Sequence, residues 1–141
     1  MKVSDILRSK GNHVYSISSD ITVFEALKIM GEKNIGALLV MNGDQLDGII
    51  TERDYARKII LKGKTSTETK VKDIMTEKVI TVAPGDDIEK CMEIMSGRKI
   101  RHLPVVENEK VAGVISITDV VTAVIEAQKE TISHLQNYIS H

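Results

Sequence analysis

The chain has 141 residues, 42% hydrophobic and 28% charged, with a formal net charge of -1 and one cysteine. These values describe a soluble module and give no basis for gripping a nucleic-acid backbone by bulk electrostatics, so nucleic acid is not expected as a partner. A lone cysteine excludes an intramolecular disulfide, no run reaches the ~18 apolar residues that would cross a membrane, and the opening M-K-V-S-D-I-L-R lacks the apolar stretch of a secretory signal; a cytoplasmic chain is expected.

The chain nearly repeats itself. Residues 14–55 lie without a gap on residues 79–120, with identities at Val14/Val79, Ile29/Ile94, Met30/Met95, Ile35/Ile100, Leu38/Leu103, Val40/Val105, Gly48/Gly113, Ile50/Ile115 and Asp54/Asp119. A lead-in precedes each copy, V-S-D-I-L from Val3 and V-K-D-I-M from Val71. After a short strand at Val14 to Ile17, residues Val23, Ala26, Leu27 and Met30 fall at helical spacing between Asp20 and Lys33. Apolar runs at Ala37 to Met41 and Leu46 to Ile50, separated by N-G-D-Q, predict a hairpin. A helix then starts at Thr51, runs through A-R-K-I-I-L and stops at Gly63, and G-K-T-S-T-E-T-K-V-K is the linker.

The second copy repeats the plan. It has a strand at Val79 to Val82 and a helix bearing Ile88, Cys91, Met92 and Met95. A hairpin follows around E-N-E-K, then a helix from Ser116 whose stripe of Val121, Val124, Ile125, Ile132, Leu135 and Ile139 runs almost to the end. Cys91, among apolar neighbours, reads as core. The expected domains are residues 8–66 and 75–131, followed by a helical tail at 132–141. Each copy of about 60 residues is too small to stand comfortably alone, so the copies should pack on each other. A stripe outrunning its own domain predicts a homodimer through part of residues 124–139, with packing over the second copy as the alternative.

The polar residues that recur are a hydroxyl and an acid, T-E-R-D at Thr51 to Asp54 and S-I-T-D at Ser116 to Asp119. The pattern fits a helix cap, the hydroxyl accepting a backbone N–H and the acid sitting in the first turn. It also fits a ligand site, because a helix N-terminus attracts anions and a carboxylate can accept both hydroxyls of a ribose. In I-R-H-L-P-V-V, Arg101 and His102 stand at the start of a strand, where a guanidinium and an imidazole suit a phosphate or are simply solvated. The first copy has Gly36 and Ala37 there, so two phosphate sites would be unequal.

Other signatures fail. Gly63, Lys64 and Thr65 imitate the end of a phosphate loop, but its first glycine would fall on Lys58; there is no G-x-G-x-x-G, and His13, His102, His134 and His141 have no zinc spacing. No metal is expected, and catalysis has little positive support.

L-D-G-I-I-T-E-R-D, I-R-H-L-P-V-V and V-A-G-V-I-S-I-T-D, two copies in register, make the chain resemble a tandem pair of cystathionine β-synthase (CBS) domains, a Bateman module. Nearly the whole chain takes part, and Leu39 stands where the second copy has Pro104. The resemblance implies an α/β (α+β) fold of two pseudo-symmetric β-α-β-β-α motifs packed through their small sheets, with two clefts for adenine nucleotides. It is nearest to stand-alone pairs without a catalytic domain, thought to sense AMP, ATP, NAD(H) or S-adenosylmethionine and to regulate a partner protein.

Carried over by motif, one cleft would use Ser116 and Asp119 for ribose, Arg101 and His102 for phosphate, and the region of Tyr15, Ile35 and Gly36 for adenine. The other would use Thr51 and Asp54, with Ile80 and Ile100 near the base and Arg53 or Arg57 for phosphate. The implied function is a non-enzymatic adenine-nucleotide sensor with no required cofactor. A dimerising scaffold that binds no ligand is the alternative, and a nucleotide-processing enzyme is a third reading.

Overall fold

The computed structural model describes residues 1–140 and is an α+β fold in which each repeat forms its own unit and each lead-in joins the unit of the other repeat. One unit is Val14–Ile80; the other combines Met1–His13 with the chain from Thr81. Helix α1 (Val3–Lys10) buries Val3 and Ile6. It is tied to the second repeat by Val3 N–H to Asp86 C=O at 2.9 Å and Ser4 N–H to Pro84 C=O at 2.9 Å.

In Val14–Ile80, strand β1 (Ser16–Ile17) lies parallel to β2 (Ala37–Asn42), which pairs antiparallel with β3 (Gln45–Thr51). Helix α2 (Val23–Lys33) sits between β1 and β2 in the chain and buries Val23, Ala26 and Met30, the stripe expected from its spacing. Thr22 opens it by accepting the Glu25 N–H at 3.2 Å, and Asn34, at φ 54°, ends it. These residues close a core with Ile17, Leu38, Val40, Ile50, Ile59, Val71 and Ile74. Each buried aliphatic side chain contributes about 1.5–3 kcal/mol.

The first closing helix departs from the expected continuous α-helix. A single α-turn, α3 (Glu52–Tyr55), widens into a π-helix over Ala56–Ile60, with the Leu61 N–H reaching the Ala56 C=O at 3.1 Å. Gly63 ends the segment at φ 68°, as its position suggested. The second lead-in is a 3-10 turn, Val71–Asp73, after which Thr76 and Ile49 exchange N–H to C=O bonds at 2.9 and 3.0 Å along the edge of β3.

In the other unit, α4 (Ile88–Arg98) buries Ile88, Cys91 and Met95, and burial pushes the Cys91 thiol above its ordinary pKa, as suits a core cysteine. Strands β4 (His102–Glu107) and β5 (Lys110–Ser116) form an antiparallel pair. The strand expected at Val79 to Val82 contracts to one parallel bridge, Val82 with Val105. Residues Val79, Ile80 and Thr81 lie before that bridge and make no ladder of their own among the described residues. Helix α5 (Ile117–Ser140) passes residues 131 and 132 without a break, so the segment expected as a tail continues this helix to Ser140; His141 lies outside the described residues.

Gly48 and Gly113 now have a physical reason. A Cβ on Gly48 would lie 2.8 Å from the Thr76 carbonyl and 2.9 Å from Met75 Sδ, and one on Gly113 would lie 2.7 Å from Leu7 Cδ2. Leu7 and Met75 occupy the same place in the two lead-in motifs. Each glycine is the point where a lead-in crosses a strand closely, against backbone at Gly48 and against the end of a side chain at Gly113.

Candidate functional site

Each hydroxyl-acid pair stands where the second hairpin strand runs into the closing helix. At the end of β3 the Thr51 hydroxyl accepts the Asp54 N–H at 3.1 Å, and Asp54 Oδ2 accepts the Thr51 N–H at 3.0 Å and the Thr51 hydroxyl at 3.2 Å. At the end of β5 the Ser116 hydroxyl accepts the Asp119 N–H at 3.2 Å, and Asp119 Oδ2 accepts the Ser116 N–H at 2.8 Å. Both pairs are therefore capping boxes, which satisfies otherwise orphaned helix N–H groups.

The loop before the first hairpin strand closes on the same corner. The Gly36 carbonyl accepts the Glu52 N–H at 3.1 Å, and the Arg101 carbonyl accepts the Ile117 N–H at 2.8 Å. Strand register then sets Ala37 opposite Thr51 and His102 opposite Ser116. Thus Arg101, His102, Ser116 and Asp119 gather at one end of the β4–β5 hairpin, and Gly36, Thr51 and Asp54 at the matching end of β2–β3. Ile35 and Ile100 are half-buried just ahead of these loops, and Ile80 is half-buried in the Val14–Ile80 unit. Tyr15 lies beside β2, its carbonyl accepting the Leu39 N–H at 3.3 Å, with Lys33 Nζ 5.6 Å from its ring centroid. Arg53 and Arg57 are exposed on the first closing helix.

Two lysines that the motif reading did not select complete the corners. Lys10 Nζ, at the end of α1, lies 2.7 Å from Asp119 Oδ2 and donates to the Val114 carbonyl at 2.9 Å. Lys58 Nζ lies 3.1 Å from Asp54 Oδ1 and donates to the Ile74 carbonyl at 2.7 Å. Each lysine thus joins the acid to the contact between lead-in and hairpin, yet they come from different places. Lys10 belongs to a lead-in and Lys58 to a closing helix, where the second copy has the buried Ala123. The Asp54/Lys58 spacing is an ordinary four-residue helix pair legible in sequence. The Lys10 contact bridges segments far apart in the chain, and only the matching lysines at the ends of V-S-D-I-L-R-S-K and V-K-D-I-M-T-E-K hint at it. Lys78 does not repeat the role of Lys10, because the second lead-in leaves its helical turn at Asp73.

Burial raises the pKa of the Asp119 carboxyl, but hydrogen bonds from Lys10 and the Ser116 N–H, with the Lys10 charge, outweigh it and hold the group below its ordinary value. Burial first, and then the charge of Lys10, depress the His102 imidazole, with Arg101 adding and Asp119 opposing. Burial thus favours the neutral imidazole of His102, and the positive charge beside Asp119 comes from Lys10. Such a corner offers a carboxylate to a diol, a hydroxyl as donor or acceptor, and cations for an anionic group. Among the described residues no group of His, Cys, Asp or Glu could hold a metal ion, and no helix is long and apolar enough to cross a membrane.

Comparison with known proteins matches the duplication directly. The model of the CBS domain fits residues 3–61 and again residues 71–126. A mitochondrial CBS domain-containing protein of Arabidopsis thaliana is 44% identical over 146 residues, covering 97% of this chain and 71% of the relative. The structure of a protein with CBS domains from Burkholderia ambifaria MC40-6 shares 45% identity at a TM-score of 0.88, covering 91% of this chain and 96% of that one. The CBS domain pair of protein MJ0100, solved in complex with 5′-methylthioadenosine and S-adenosyl-L-methionine, is 28% identical at a TM-score of 0.78, covering 91% of this chain and 98% of that one.

Proposed function

We propose, because this chain belongs to the CBS-domain family, that it is a non-catalytic sensor of an adenosyl ligand that modulates a partner protein. The observation that carries this reading is the repeated corner, in which a half-buried acid and hydroxyl meet the loop before the hairpin. Ser116 and Asp119 would take the ribose, with Arg101 and Lys10 facing an anionic group and His102 beside them as an uncharged donor or acceptor. Thr51 and Asp54 would take a second ribose, with Arg53 or Arg57 for phosphate. The adenosyl complex of the MJ0100 pair supports the ligand class. AMP, ATP, NAD(H) and S-adenosylmethionine share the adenosine that these residues would hold.

The same reading includes a homodimer through residues 124–139. On α5, Ile125, Ile132, Leu135 and Ile139 are exposed, from 46% to 81%, along one apolar stripe. The capping geometry also favours a second reading, a ligand-free scaffold in which both acids serve only to start helices. A thermal-shift panel of adenosyl and guanosyl compounds separates the two. A ligand at 100 times its dissociation constant adds about 2.7 kcal/mol of stability. Selective stabilisation by adenosyl compounds supports the sensor, and no shift with any of them supports the scaffold.

A further inference from the structure

The two capping acids differ in what they have left to offer. A carboxylate has roughly four lone-pair positions, and a ribose diol brings two donors. Asp54 Oδ2 holds both the Thr51 N–H and the Thr51 hydroxyl, and Oδ1 holds Lys58 at 3.1 Å, so both oxygens are engaged and room for one donor remains. Asp119 concentrates its partners on Oδ2, which takes the Ser116 N–H and Lys10, and Oδ1 has no hydrogen bond among the described residues. The Asp54 side chain is 13% exposed against 21% for Asp119.

We propose that Lys58 is a built-in competitor that holds the Asp54 site shut, so that an adenosyl ligand fills the Asp119 site first. This rests on the adenosyl reading and adds an order of occupancy to it. A diol can settle on Asp119 Oδ1 while Lys10 stays on Oδ2. At Asp54 the same diol must displace Lys58, which the 2.7 Å bond to the Ile74 carbonyl holds in place. The first site therefore answers at low ligand concentration. The second opens only when Lys58 lets go of both the acid and the second lead-in, which ties its occupancy to the Ile74 contact.

Calorimetric titration with adenosine tests this. The probe is uncharged, so loss of the lysine cannot act through a phosphate. Wild type is expected to bind one equivalent per chain, lost in Asp119→Asn. Lys58→Met is expected to bind a second, its affinity at Asp54 raised about tenfold, the size of one hydrogen bond to a charged group. Lys58→Gln, which keeps a donor for the Ile74 carbonyl, gives the same readout if the methionine variant does not fold, and adding Asp54→Asn should remove the second equivalent. Two equal sites in wild type, or a single site in the Lys58 variants with the Asp119 site intact, overturns the order of occupancy alone. Adenosine binding to none of these proteins overturns the adenosyl reading together with this one.

Discussion

Lys10 Nζ, at the C-terminal end of the first helix, lies 2.7 Å from Asp119 Oδ2. One ion pair thus joins the lead-in, the cap of α5 and the hairpin carbonyl of Val114. Lys10→Met should destabilise the protein by about 1 kcal/mol, a value kept small by the partial exposure of the pair. It should also raise the Asp119 pKa by removing two of the influences that lower it. Urea denaturation and a carboxyl titration followed by NMR measure both. Unchanged values would mean the contact carries no energy.

The repeated glycines should respond unequally to a methyl group. Gly48→Ala drives its Cβ against a backbone carbonyl, that of Thr76, whereas Gly113→Ala meets the movable end of Leu7. Overpacking of this kind costs about 1–3 kcal/mol, with Gly48→Ala at the upper end. Leu7→Ala should recover part of the loss in Gly113→Ala and none of the loss in Gly48→Ala. A double-mutant cycle by chemical denaturation reads this coupling, and additive effects would show that Leu7 is not the obstacle.

The depressed pKa of His102 has a definite sign. The unfolded imidazole binds its proton more readily than the folded one, so this residue's contribution to stability is complete above the unfolded pKa, about 6.5. It is lost as the pH falls from there through the lower folded value. His102→Gln should flatten the stability profile on the acid side of pH 6.5 and leave it unchanged near pH 8. A slope surviving in the variant would place the titrating group elsewhere.

Ending the chain after Glu126 removes Ile132, Leu135 and Ile139 while keeping Val120 and Ala123, the buried residues of α5. The shortened protein should sediment as a monomer and the full chain as a dimer. A dimer of unchanged strength would exclude the stripe as its interface.

Much of this architecture was legible because apolar spacing is a local signal. The α2 stripe, the paired hairpins, the cap at Thr51 and the stop at Gly63 all follow from neighbours in sequence. The exchange of lead-ins was not legible, since V-S-D-I-L and V-K-D-I-M carry the same apolar pattern and nothing in either says which repeat it will cover. Gly48 and Gly113 marked close approaches without naming Met75, Thr76 or Leu7. At the site the acids and hydroxyls stood out through duplication. Lys58 was within reach of a four-residue spacing, whereas Lys10 depends on a tertiary contact with Asp119. The short π-helix at Ala56–Ile60 leaves no periodic signature in A-R-K-I-I-L, because one widened turn shifts the apolar stripe too little to be seen.

Titration calorimetry of AMP into wild type and Asp119→Asn tests the central claim most directly. The asparagine amide oxygen can still accept the Ser116 N–H, so the capping box is kept while the charge that would accept a ribose is lost. The account predicts that wild type binds AMP and that the variant loses about 1.5–3 kcal/mol, tenfold or more in affinity. Equal affinity of the two proteins, with both folded, would contradict it and leave Asp119 as a helix cap alone.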